Sequence, residues 1–270
     1  MKVKKFVRFF AVFATIITLG STLAACSSSA SGKDSYKSEL KNKKELVIGL
    51  EGTYAPYSYR DNGKLTGFEV ELGKAVAKQM GLKAKFVPTK WDGLIAGLGS
   101  KKYDVVMNNI TQTKERQKKY LFSTPYAYSK YILITRANDD SIKTTADIKG
   151  KKFVESTGSD NEAVAEKFGA KILPEGEFST GLDLIKQNRA VGNINAEPAW
   201  IAYAKEKSTT GLKYRVLKNS EQKPAKISAL FNKQSPKLKS RYNKAIKALR
   251  KDGTLTKLSN KYFGKDLTKE

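Results

Sequence analysis

From Leu46 onward the chain alternates short β-prone runs with stretches of helical apolar period, and this alternation constrains the fold more than any other feature. Residues 46–49 read as a strand. Leu72, Ala75, Val76, Gln79 and Met80 then fall at i, i+3, i+4, i+7 and i+8, one stripe of a helix. That helix opens after Gly67 with Glu69 and Glu71 at the positive end of its dipole, and stops at Gly81. Residues 83–87, 103–107 and 131–135 read as further strands, with a helix over 92–99 between the first two. A second series follows: strand 152–155, helix 161–168, strand 172–173, helix 182–187 and strand 191–195. Residues 227–231 read as a strand that returns to the first group, ahead of a helix over 238–249. The pattern predicts two α/β lobes with mostly parallel sheets, the chain crossing near 135–137 and back near 220–224. Residues 45–135 plus 225–270 form the first lobe and 136–224 the second. Two connections make a hinge, with a cleft at the strand ends where open sheets place ligands.

Composition then removes whole classes of chemistry. The chain has no histidine, so a Ser-His-Asp triad, an HExxH zinc helix and an imidazole acid or base are excluded. A single cysteine excludes an intrachain disulfide and a thiolate metal cluster. Carboxylate, lysine or tyrosine chemistry remains, or binding alone. The formal charge is +25, and +21 without Lys2, Lys4, Lys5 and Arg8. A balance this basic raises nucleic acid, anionic membrane and wall polymer as partners. The lysines scatter in ones and twos, as on a solvated surface, and no run of five like charges marks a binding arm.

Residues 1–25 read as an export signal: a positive start, an apolar run over 6–19 with Arg8 its one charge, then small residues. Leu23-Ala24-Ala25-Cys26 resembles a bacterial lipobox, in which Cys26 is lipidated and becomes the new N-terminus. Residues 26–44 are expected to hold the anchor and a tether, with 27–34 rich in Ser, Ala and Gly. A lipid chain plus a cationic body gives the two signals that stable membrane attachment needs. The expected location is the outer face of a bacterial cell membrane. Ser27 after the anchor fits a Gram-positive cell, and export argues against a nucleic-acid partner.

Several blocks recur in one order: Glu51-Gly52-Thr53-Tyr54-Ala55-Pro56-Tyr57, Gly67-Phe68-Glu69-Val70-Glu71-Leu72, Tyr103-Asp104-Val105-Val106-Met107-Asn108, Thr113-Lys114-Glu115-Arg116-Gln117, Phe122-Ser123-Thr124-Pro125-Tyr126 and Asp252-Gly253-Thr254-Leu255. Together they resemble the polar amino-acid solute-binding proteins of ABC importers (extracellular solute-binding family 3), with Glu69 where that signature usually has Asp. The blocks around Glu51, Trp91 and Arg116 look most like the cystine binders. The resemblance implies a two-lobed type II periplasmic-binding-protein fold, with two mixed sheets joined by a two-strand hinge. It implies a monomer that binds a polar amino acid, cystine first, and passes it to a permease driven by an ATPase. No catalysis, cofactor or metal is implied. Two other readings stand beside it. One is a same-fold enzyme of dehydratase or lytic transglycosylase type, needing a catalytic carboxylate such as Glu51, Glu69 or Glu197. The other is a cationic surface adhesin.

The residues also fit a zwitterion chemically. Arg116 can grip a carboxylate through two parallel N–H bonds, which lysine cannot do. The resemblance puts Arg116 at the carboxylate position, Thr111 at a hydroxyl contact to the same ligand head, and Asn109 where a backbone carbonyl accepts from the ammonium. Gly158, Ser159 and Asp160 sit at a predicted helix start, where free N–H groups can receive a carboxylate or be capped by Ser159 or Asp160. Tyr54 and Trp91 match positions whose rings flank the ligand side chain. One departure stands out: the position that usually carries the ammonium-binding aspartate is Ala196, with Glu197 next to it. Glu197 is expected to take over, with Glu51 and backbone carbonyls as alternatives. The basic surface points away from a cationic ligand, and the lack of a free thiol suits a disulfide.

Overall fold

The computed structural model describes residues 35–270; the export segment, Cys26 and residues 27–34 lie outside the described residues. Strand Glu45–Leu50 pairs in parallel with Lys83–Pro88 on one side and Val105–Val106 on the other. Covered on both faces, it is buried along nearly its whole length, which is why it reads as an unbroken apolar run. The sheet continues antiparallel through Leu230–Asn232 to Tyr120–Phe122.

Helix Phe68–Met80 lies on the crossover from Glu45–Leu50 to its parallel neighbour Lys83–Pro88, and its ends follow the sequence signals. Gly81 adopts φ 74° and its N–H caps the carbonyls of Ala77 and Lys78. Gly67, at the start, has φ 122°, and a Cβ there would collide with the Tyr57 carbonyl. Helix Pro236–Lys251 buries Leu238, Tyr242, Ala245, Ile246 and Leu249 and packs on Phe68–Met80. Each such large apolar side chain contributes about 1.5–3 kcal/mol by leaving water.

In the second sheet Lys171–Pro174, Lys152–Glu155 and Gly192–Ala196 run parallel. Tyr131–Arg136 then pairs antiparallel with Gly192–Ala196 and Leu212–Val216. Between the two sheets runs a two-stranded ribbon, Ala127–Ser129 against Ala225–Ile227. Both sheets are mixed, and among the described residues no barrel closes.

Three expectations shift. Tyr131–Arg136, assigned above to the first lobe, belongs to the second sheet, so the outward crossing is at Lys130 rather than 135–137. Its apolar pattern suits either sheet; only its partners decide. The return crossing falls between Val216 and Ala225, a span that contains the expected 220–224. The 227–231 strand is two, Ala225–Ile227 in the ribbon and Leu230–Asn232 in the first sheet, with Ser228 and Ala229 turning between them. Finally, residues 35–44 are not tether: Tyr36 is buried and its hydroxyl donates to the Met80 carbonyl at 2.8 Å, while the Lys41 N–H donates to Asp104 at 2.7 Å. Apolar contact pins this stretch to the first lobe.

Candidate ligand cleft

The cleft begins with the loop that follows Val105–Val106. Asn109 has φ 50°, a left-handed turn that lets the chain leave the sheet. Its backbone N–H donates to both oxygens of Glu69 at 2.9 Å, and the Tyr126 hydroxyl donates to the same carboxylate. Glu69 is completely buried at the first turn of its helix, and burial pushes its carboxyl up to about 7 against the pull of those donors. The loop is therefore bolted to the helix start. Next to it, Asn108 accepts from the Glu51 N–H at 2.9 Å and donates to the Glu51 carboxylate at 2.5 Å. Burial also raises the Glu51 carboxyl to about 7, opposed by Asn108 and reinforced by Glu177 and Asp92.

Arg116 lies on the short helix Lys114–Lys119, whose start is capped by the Thr113 hydroxyl. The helix turns the guanidinium inward, where it is 8% exposed. It donates to the Thr111 carbonyl at 3.2 Å and, across the cleft, to the Gly158 carbonyl at 3.0 Å. Asp160 of the second lobe faces it at 3.8 Å. The Asp160 carboxylate also accepts from the hydroxyls of Thr111 and Tyr131, each at 2.8 Å. The Trp91 ring lies against the guanidinium, 5.7 Å from its centroid, while the Trp91 Nε1–H donates to the Thr157 carbonyl at 2.8 Å. Ser159 caps helix Asp160–Lys167 through the Glu162 N–H. The Tyr54 hydroxyl donates to Asn195 of the second lobe at 2.6 Å. These bonds hold the lobes shut.

Of the residues singled out in the sequence, Glu51, Tyr54, Trp91, Asn109, Ser159 and Asp160 line the cleft, and Thr111, Arg116 and Gly158 stand directly behind Asp160. Glu197 does not reach it. As the first residue of helix Glu197–Glu206 it pairs with Lys265 of the first lobe at 2.7 Å, outside the cleft. The physical reason is where the strand ends: Asn193 and Asn195 face the cleft, but the chain turns into a helix at Glu197 before alternation can bring its side chain to the same face. Sequence reasoning did not single out Asn193, Asn195, Glu155, Glu175 or Glu177, which also line the cleft. Glu155 is buried, held by the Ile194 N–H at 2.7 Å and the Asn193 amide at 3.1 Å, and burial pushes its carboxyl well up. A glutamate ending an apolar strand was the available signal for it. Among the described residues, five carboxylates and no lysine or arginine thus line the cleft. The basic surface does not extend inward, and the expectation it raised against a cationic ligand fails there.

Residues 46–265 match the model for bacterial extracellular solute-binding proteins, family 3. The chain belongs to this family. Among family 3 relatives, the L-cystine-binding protein TcyA of Bacillus subtilis is 37% identical over 256 residues, 92% of this chain and 94% of its own. Two solved structures bear on the lobes. An ancestral arginine-binding protein bound to arginine is 33% identical with a TM-score of 0.74, covering 82% of this chain and 98% of that one. The unliganded, open L-cystine solute receptor of Neisseria gonorrhoeae is 36% identical but has a TM-score of 0.58, covering 87% of this chain and all of that one. The higher score goes with the ligand-bound neighbour despite its lower identity, consistent with the bonds that shut this cleft. Family 3 proteins are extracellular, so this chain acts outside the cytoplasmic membrane.

Proposed function

We propose that this family 3 protein is a lipid-anchored receptor that closes on a polar amino acid, cystine foremost, and delivers it to an ABC importer. The observation that carries the reading is the pairing of Arg116 with Asp160 across the cleft. At 3.8 Å the two charges are near but not in tight contact, and together they are complementary to a zwitterion. The ligand carboxylate takes the guanidinium and its ammonium takes Asp160, which replaces Glu197 in that role. A buried ammonium needs such an acceptor. Asn109, Thr111, Gly158 and Ser159 surround the same head, and Tyr54 and Trp91 flank the side chain, where sulfur–aromatic contact contributes about 0.3–1.5 kcal/mol. Ligand bridging both lobes favours the shut form because only that form offers both sets of contacts. The likeness to L-cystine-binding TcyA supports cystine, and the sequence of residues 1–26 supports the anchor.

The acidic cleft wall favours a second reading, a cationic amino acid such as arginine. Calorimetric titration with cystine, arginine and the other common amino acids separates the two. Cystine binding tightest, with Arg116→Ala weakening it at least about tenfold, supports the first reading. Arginine binding tightest supports the second, and unchanged affinity in Arg116→Ala removes Arg116 from the site.

A further inference from the structure

The cleft is small in the shut form, with a free volume of about 60 Å³. One water needs about 10–15 Å³ on that scale, so this space holds one amino-acid head and little more. Beside it lies a much larger cavity of about 610 Å³, between residues 52–60 of the first lobe and helix Glu197–Glu206 of the second. That volume is within the roughly 300–1,000 Å³ usual for ligand sites. The two spaces share Thr53, Tyr54, Glu177 and Phe178 as walls. Their partition is thin: the Thr53 hydroxyl and the Glu177 carboxylate meet across the lobes at a long 3.4 Å. The chemistry changes on passing it. The cleft side has only acidic charges, whereas Arg60, Lys205, Lys207 and Lys261 line the groove, with Glu177 and Glu206 as its carboxylates. Lys261 is engaged by Glu71 at 2.6 Å, and Arg60 donates to the Gly63 carbonyl at 2.8 Å. Lys205 and Lys207, both exposed, make no ion pair among the described residues.

We propose that this groove is the outer half of the ligand site and receives the far head of a ligand that carries two amino-acid heads. Glu177, at the partition, takes the distal ammonium. Lys205 and Lys207 take the distal carboxylate, and the aromatic walls cover the linking arm. The inference rests on amino-acid binding in the cleft, but it requires more than that reading does: length and a second zwitterion become part of what is recognised.

Calorimetry with the full chain and the double variant Lys205→Ala/Lys207→Ala tests it, using cystine and cystathionine against their one-headed counterparts, S-methylthiocysteine and methionine. Expected is a two-headed probe that binds the wild type at least about tenfold tighter than its counterpart. The double variant should lose most of that advantage while changing the one-headed probes less than about twofold. Equal binding of both kinds, or a variant that weakens both kinds equally or neither, overturns the groove and leaves the amino-acid reading standing. A wild type that binds one-headed amino acids alone does the same. A wild type that binds no amino acid at all overturns both.

Discussion

Asp160 faces Arg116 from the opposite lobe at 3.8 Å, and two hydroxyls, those of Thr111 and Tyr131, hold its carboxylate there at 2.8 Å each. Thr111 and Arg116 belong to the first lobe and Tyr131 to the second sheet, so the carboxylate is gripped from both sides of the hinge. An ammonium arriving with its carboxylate on Arg116 meets this group first. Asp160→Asn should therefore weaken amino-acid affinity by about tenfold or more, since a charge-assisted bond is worth roughly 1.5–3 kcal/mol. Titration calorimetry reads it, and undiminished affinity would place the ammonium elsewhere.

Glu197 and Lys265 tie the lobes together outside the cleft, at 2.7 Å, with the lysine 44% exposed. A solvent-screened pair contributes about 0–1 kcal/mol. Glu197→Gln should consequently raise the dissociation constant by no more than about fivefold, by easing opening rather than by removing a ligand contact. A loss of a hundredfold would return Glu197 to the binding site.

The Glu69 carboxyl fixes a direction for pH dependence. Burial lifts it from 4.5 to about 7, over the opposing donors Tyr126 and Asn109. Between those values the folded chain keeps a proton that the unfolded chain has lost. Its contribution to stability is therefore highest below about 4.5 and falls as the pH rises through about 7. Glu51, lifted to about 7 by burial, acts in the same direction. Relative to Glu69→Gln, the wild type should lose roughly 2–3 kcal/mol between pH 4.5 and 8. Chemical denaturation at several pH values measures the difference, and parallel curves for the two proteins would refute it.

Gly67 has no room for a side chain. Its φ of 122° and the Tyr57 carbonyl against the Cβ position both oppose one. Gly67→Ala should destabilise by about 2–3 kcal/mol, with the loss appearing as a lower thermal midpoint. Gly81→Ala, where only φ is unfavourable and nothing lies within 4 Å of the Cβ position, should cost about half that. Equal losses would mean that the clash relaxes freely.

Much of the fold was legible because its signals are local. The stripe ending at Gly81, the helix at Pro236–Lys251 and the strands Glu45–Leu50 and Lys152–Glu155 all lie within a residue or two of the ranges their apolar periods indicate. Short elements without a full period escaped: the hairpin Tyr59–Asp61 with Lys64–Thr66, helix Lys114–Lys119 and strand Leu212–Val216. In the cleft, Arg116 was legible as a grip for a carboxylate, whereas Asp160 was read only as part of a helix start and not as the acceptor for an ammonium. Glu69 was read as a dipole partner, whereas it anchors Asn109, a contact 40 residues away.

The sequence by itself determined which residues face inward along the longer helices and strands, where those helices stop, and that two α/β series are joined twice. It determined too that imidazole and thiolate-cluster chemistry are absent, since the residues for them are missing. Tertiary structure alone decided that Tyr131–Arg136 joins the second sheet, that Asp160 rather than Glu197 meets Arg116, and that an acidic cleft sits inside a basic surface. Period and capping are set by neighbours a few residues apart and are written in the chain. The partner of a strand, and which of several carboxylates ends beside a given guanidinium, depend on segments scores of residues away. Those meetings follow only once both lobes have packed and closed.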